Sequence, residues 1–184
     1  MEKSNKELNH IMVDIETMGT SSYSAIVSIA AVEFDINTGA TGNTFYTNID
    51  LQSCLDAGLK TDEETVQWWS NQSEKAKMML NEEKVNLKEA LLMFKRFCRN
   101  DCKIWGNSAR FDLGILENAY QVTGIKQPWQ YYNERCVRTL VGFYPDIKKN
   151  TPFVGTPHNA IDDCLHQVKY CTAIWKSIKV VTFL

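Results

Sequence analysis

Asp14 and Glu16 stand two residues apart in the stretch HIMVDIETMG, inside an apolar run that reads as a buried strand. Alternate side chains of a strand share a face, so these two carboxylates point one way while Val13 and Ile15 point the other. Like charges that close resist being buried together. The pair makes sense if a cation binds between them, and hard oxygen donors of this kind suit Mg²⁺ or Mn²⁺. The competing reading is a strand with one solvent-facing side near a sheet edge.

Two further places carry the same kind of chemistry. Asp112, in WGNSARFDLGIL, follows a buried-looking strand and a Gly-Asn turn, with Ser108 as N-cap of the helix that begins there. The helix dipole alone could account for a carboxylate in that first turn. In GTPHNAIDDCLHQ, Asn159 can cap the last helix and Pro157 fits the extended approach to it. His158 then lies in the loop and Asp163 inside the helix start, a geometry that can present an imidazole and a carboxylate to one pocket. Asp162 is merely dipole-compatible. His10 sits at the unstructured start of the first strand and His166 within the last helix. Acids and one histidine at such separate positions have an economical explanation in a two-metal phosphoryl-transfer site, whose ions lie about 4 Å apart and whose water needs a base.

The elements that must position these groups can be read from periodicity. Residues 11–15, 26–34 (IVSIAAVEF) and 44–50 read as strands, the last after the turn signal NTGATGN, and together they predict an antiparallel meander. TDEETVQWW opens a helix with Thr61 and Glu64 at capping-box spacing. NLKEALLMFKRFCRN puts Leu87, Ala90, Leu91, Phe94, Phe97 and Cys98 on one face. CKIWG is a short strand, and a helix ending before Gly124 follows it. Residues 128–157 are looser and contain CVRTLVGFY. The final helix runs from near Asn159 to about Lys176 with Ile161, Leu165, Val168, Cys171 and Trp175 inward. Strands first, then alternating helix and strand, predict a mixed α/β layer fold.

Bulk properties narrow the class. The 184 residues suit one domain, 1–184, with its core over about 11–176, and no linker or repeat interrupts it. No apolar stretch reaches the roughly 20 residues of a membrane span. The start, MEKSNKELNH, lacks the apolar segment of a signal peptide, so cytoplasm is the expected location. The six cysteines then read as free, structural thiols. A net charge of -2 and a pI near 5.9 argue against a protein that coats nucleic acid by counterion release. They leave room for an enzyme of nucleic acid, because bound metal reverses the sign of an acidic pocket.

The ordered set DIET (Asp14, Glu16), ARFDLGIL (Asp112) and HNAIDD (His158, Asp163) resembles the DEDDh family of 3′→5′ exonucleases. The segments ETMGT, TVQWWSNQS, WGNSARFD, RTLV and GTPHNAIDD look closest to a subgroup containing phage T4 exonuclease A and bacterial 3′→5′ exoribonucleases, and the likeness leans towards phage or prophage proteins. It covers roughly residues 11–175. The resemblance implies an α/β ribonuclease H-like fold, with a mixed five-stranded sheet flanked by helices on both faces. It also implies two divalent cations, Mg²⁺ or Mn²⁺. Asp14 would bridge both, Glu16 and Asp163 would hold the one nearer the attacking water, Asp112 would serve the other, and His158 would be the general base. The implied activity is release of nucleoside 5′-monophosphates from 3′ ends, preferentially of single-stranded DNA. An exoribonuclease trimming RNA or 3′ overhangs is the alternative. A non-catalytic nucleic-acid- or protein-binding module of the same fold is the alternative of another class.

Substrate must be gripped without reading sequence, and aromatic stacking does this at about 1–3 kcal/mol per base. Thr17, Met18 and Gly19 directly follow the acidic strand and are expected near the terminal nucleotide. Trp68 and Trp69 lie about 100° apart on a helix, so one should enter the core while the other borders the substrate path. Asn107, Ser108 and Arg110 precede Asp112 and could contact phosphate; Arg138 could do the same or form a structural ion pair. Several family members are homodimers, and an apolar helix face or the Trp pair would offer an interface. The partners implied are single-stranded DNA or RNA 3′ ends, without a membrane.

Overall fold

The computed structural model describes residues 8–79, 82–99, 101–156 and 158–181. Pro157, expected to lead into the last helix, lies outside them. The chain runs β1 (His10–Thr17), β2 (Ile26–Phe34), β3 (Thr41–Ile49), α1 (Leu51–Asp56), α2 (Glu63–Ser70), α3 (Glu74–Met79), β4 (Lys84–Val85), α4 (Leu87–Phe97) and β5 (Lys103–Gly106). It continues through α5 (Ala109–Thr123), a 3₁₀ turn, β6 (Glu134–Cys136), α6 (Val137–Phe143), α7 (Pro145–Asn150) and α8 (Ala160–Val181).

The sheet order is β4-β3-β2-β1-β5-β6. β1, β2 and β3 form the antiparallel meander, while β5 and β6 continue from β1 in parallel. This is an α/β fold with a central mixed sheet flanked by helices, as expected, but it has six strands rather than five. The addition is β4, a two-residue strand parallel to the end of β3 at the sheet edge. It is too short to carry a period-2 pattern, so nothing in the sequence marked it.

The two faces of β1 divide the molecule. Ile11, Val13 and Ile15 join Ile29 and Ala31 of β2 in a core covered by α4 and α5. Met12 faces the other way, into a core with Ala30, Val32 and Phe34 that is covered by α8 and α6. β2 is buried along its whole length, in keeping with a run that is apolar except at Ser28 and Glu33.

Three local expectations need correction. The cap of α2 is Asp62, whose side chain accepts the Thr65 amide at 2.7 Å, and not Thr61. His10 is ordered and buried as the first residue of β1, where its Nδ1 accepts the Trp105 indole N–H at 2.9 Å. On α8 the buried stripe is Ala160, Cys164, Val168, Cys171 and Ile174, so Ile161, Leu165 and Trp175 only flank it. The small Cys164 decides this rotation: its thiol sits 3.6 Å from the Met12 carbonyl, letting the helix approach the sheet closely.

Candidate active site

β1 outruns its neighbour. β5 pairs only with residues His10 to Val13 and ends at Gly106, so from Asp14 onwards that edge of β1 has no strand beside it. The start of α5 fills the gap, and Asp112 takes the place of the missing strand. Its carboxylate is buried and accepts the Ser108 amide at 3.1 Å, with the amides of Ile15 and Asn107 also directed at it. Gly106 lets Asp112 pack close, since a Cβ there would meet Asp112 Cβ and Oδ2 at 3.0 Å and press the carboxylate out by a few tenths of an ångström. Ser108 is the N-cap residue, yet its hydroxyl makes no capping bond.

α8 brings in the remaining groups. Asn159 caps it, its Oδ1 accepting the amides of Ile161 and Asp162 at 3.0 Å each. Asp162 accepts the Thr156 amide at 2.7 Å, packed against Gly155, whose φ of 121° and lack of a Cβ allow that approach. Asp162 therefore holds the loop that carries His158. His158 itself adopts φ 62°, a left-handed conformation uncommon for a residue with a side chain. Its amide is directed at the Asp163 carboxylate, and its exposed ring lies edge-on to Trp68 with centroids 5.0 Å apart.

Ligand oxygens of Asp14, Glu16 and Asp163 lie within 4.8 Å of one another. Asp112 borders this triad without joining it. Burial pushes the Asp14 carboxyl well above its ordinary range, with the charges of Asp112, Glu16 and Asp163 adding to the effect. Burial and the same neighbours lift Glu16 to about 8. Burial raises Asp112 to about 6 against the pull of its backbone amides, and burial raises Asp163 against the favourable charge of His158. Among the described residues, no Lys or Arg forms an ion pair with any of these four carboxyls. Three hard oxygen donors at this spacing, with the buried Gln167 bonded to Asp14 and its Oε1 without a hydrogen-bond partner, fit a divalent cation such as Mg²⁺ or Mn²⁺.

A cleft of about 400 Å³ opens beside Glu16, walled by Thr17, Gly19, Trp68, Trp69 and Phe111 among others. Trp69 is the inward tryptophan, and its indole donates to the Thr17 carbonyl at 2.9 Å. Trp68 is 43% exposed and stands between Trp69 and His158. Met18 turns away, packing on the α4–α5 core and lining a neighbouring depression. Ser108 and Arg110 line a different groove from this cleft.

A family model described as the 3′-5′ exoribonuclease Rv2179c-like domain matches residues 9–175. The chain belongs to this family. It is also 22% identical over 193 residues to an exodeoxyribonuclease of Enterobacteria phage T4, covering 85% of each chain. The nuclease domain of 3′hExo, a DEDDh family member bound to rAMP, superposes with a TM-score of 0.63 at 9% identity, covering 95% of each chain. Pop2p of S. pombe, with Mg²⁺ and Mn²⁺ bound, gives 0.61 at 14% identity over 91% of this chain and 82% of its own. The E. coli ExoI–ssDNA complex gives 0.60 at 16% identity over 93% of this chain and 40% of its own. At these identities the solved structures show a shared fold, in line with the 3′-5′ exoribonuclease family of the matching model. The narrower likeness to the phage T4 subgroup is not singled out, because bacterial, phage and eukaryotic proteins all match.

Reasoning from the family's acids and histidine missed Gln167. Its Nε2 donates to Asp14 Oδ1 at 2.8 Å from a buried position. The signal was present: Gln167 lies one helical turn beyond Asp163 and must share its face. Phe111 and Thr20 were missed too, and only the folded positions of α5 and the loop after β1 bring them to the cleft.

Proposed function

We propose that this protein is a metal-dependent 3′→5′ exonuclease that removes nucleoside 5′-monophosphates from single-stranded 3′ ends. The observation that carries the reading is the Asp14, Glu16 and Asp163 triad beside a cleft of about 400 Å³ that His158 and Trp68 border. Asp14, Glu16 and Asp163 would hold one cation, with Asp14 and Asp112 on the side of the second. Bound ions would supply Lewis-acid polarisation of the phosphate and neutralise charge building on the leaving oxygen. His158 accepts the proton of the attacking water, its exposed ring held by Trp68 and its backbone by Asp163. The scissile P–O3′ bond breaks, and the released 3′-oxygen takes a proton from solvent. The terminal base lies in the cleft against Trp68 and Phe111, a sequence-tolerant grip.

The polymer has two readings. The relationship to the T4 exodeoxyribonuclease supports DNA, the polymer anticipated from the sequence, while the family's description as exoribonucleases supports RNA. A timed digestion of 5′-labelled single-stranded DNA and matched RNA, with Mg²⁺, Mn²⁺ or EDTA, tests both. A descending ladder in metal, absent in EDTA and in Asp14→Asn, is the expected result, and the faster polymer names the substrate. Retention of both polymers without any release would favour a binding module instead.

A further inference from the structure

We infer that a second groove, adjoining the cleft, is a phosphodiester-binding site for the nucleic-acid backbone on the 5′ side of the terminal nucleotide. It encloses about 360 Å³ and is lined by Arg110, Arg138, Thr20, Ser21, Ser22 and Ser108. Thr20 and Phe111 border both the groove and the cleft, so the two adjoin.

Both arginines are exposed, and neither forms an ion pair among the described residues, where Lys77 and Glu74 make the only one. Their positions are also electrostatically unfavourable. Arg110 lies in the first turn of α5 and Arg138 in the first turn of α6, where the helix dipole opposes a cation. An anion seated between them relieves both conflicts. Guanidinium groups match phosphate oxygens in a planar, bidentate way, and hydroxyls add neutral donors.

The groove is preformed. The Thr20 amide is tied to the Asp62 carboxylate at 3.0 Å, and Asn118 of α5 donates to the Ser22 carbonyl at 2.8 Å, so the loop after β1 is fixed against α5. The Ser108 hydroxyl is not consumed in capping. The lining offers donors suited to phosphate rather than a pattern matched to base edges, so it fixes register and carries no sequence code. This also explains how an acidic chain of net charge -2 grips a polyanion: the attraction is local. The placement relative to the 3′ end rests on the proposed exonuclease reading; the affinity for backbone phosphate does not.

Anisotropy of a 5′-fluorescein hexanucleotide, titrated in Ca²⁺ over a salt series, tests the groove. The proteins are wild type, Arg138→Gln, the double variant Arg110→Gln/Arg138→Gln, and Lys148→Gln/Lys149→Gln of α7 as a control of equal charge. Each arginine removed should flatten the slope of log K against log salt by about 0.7, with the double variant losing at least about tenfold in affinity. The lysine control should keep the wild-type slope. A double variant that behaves like the control, or a wild type that does not bind, would overturn the proposal. Nucleotide release by wild type in Mg²⁺, run alongside, separates the two readings. Release with no arginine effect removes the groove and leaves the exonuclease; a flattened slope without release does the reverse.

Discussion

The two ends of β1 bury titratable groups in opposite ways. At its start, His10 is 8% exposed, stacks on Trp105, packs at a tilt against Phe34, and accepts the Trp105 indole N–H. Burial, with Lys103 nearby, pushes its pKa down to about 4, so the ring is neutral and satisfied. At the other end, Asp14 and Glu16 meet Asp112 and Asp163 with His158 at the rim and, among the described residues, no Lys or Arg in an ion pair with them, and burial drives all four carboxyls upward. One end is closed by its own partners. The other is completed only by something brought from outside, which is where chemistry is to be sought.

Substitutions at the two ends should separate cleanly. Asp14→Asn is expected to abolish detectable turnover, and a steady-state rate within about tenfold of wild type would contradict its place in the metal site. The same change should raise the melting temperature of the metal-free protein, because it removes a charge repelled by three others. His158→Ala should lower kcat by roughly 10²–10⁴-fold with the fold unchanged by circular dichroism, as fits a general base on an exposed loop. Gln167→Leu should weaken Mn²⁺ binding by roughly 10–100-fold, read by calorimetry, since it removes the donor that orients Asp14. At the satisfied end, His10→Phe should leave turnover within about twofold, yet cost about 1–3 kcal/mol of stability by stranding the Trp105 indole N–H.

How far the sequence disclosed this contrast depends on the range of the interaction. The alternation of Val13, Asp14, Ile15 and Glu16 in β1, the mostly apolar run of β2 and the 3.6-period face of α4 are local, and they placed those elements and the shared face of Asp14 and Glu16. The order of DIET, Asp112 and His158–Asp163 matched a family, and the fold brings these groups to one end of the sheet. Hidden were the features that depend on where segments stop. The end of CKIWG at Gly106 was legible, but nothing local indicates that this strand pairs only with His10 to Val13, which is why β1 could be read as an edge strand instead of a strand with one open end. His10 looked unstructured because its acceptor role is decided by Trp105, far along the chain. The stripe of α8 was misjudged by one position because Cys164, a weak hydrophobic signal, faces the sheet where Ile161 and Leu165 were expected to.

The contrast also fixes a pH dependence. Glu16 titrates near 8 in the folded chain and at its ordinary 4.5 when unfolded, so the folded state holds protons that the unfolded state has released. Stability of the metal-free protein should therefore be greatest below that lower value and fall as pH rises through it towards 8. Cation binding must displace those protons, and this offers the most direct measurement. Mn²⁺ titrated calorimetrically into the metal-free protein near neutral pH, in two buffers of different ionisation enthalpy, should show binding with net proton release and a raised melting temperature, both lost in Asp14→Asn. Absence of binding, or equal binding and proton release by Asp14→Asn, would contradict the assignment of this end of β1 as a metal-dependent nuclease site.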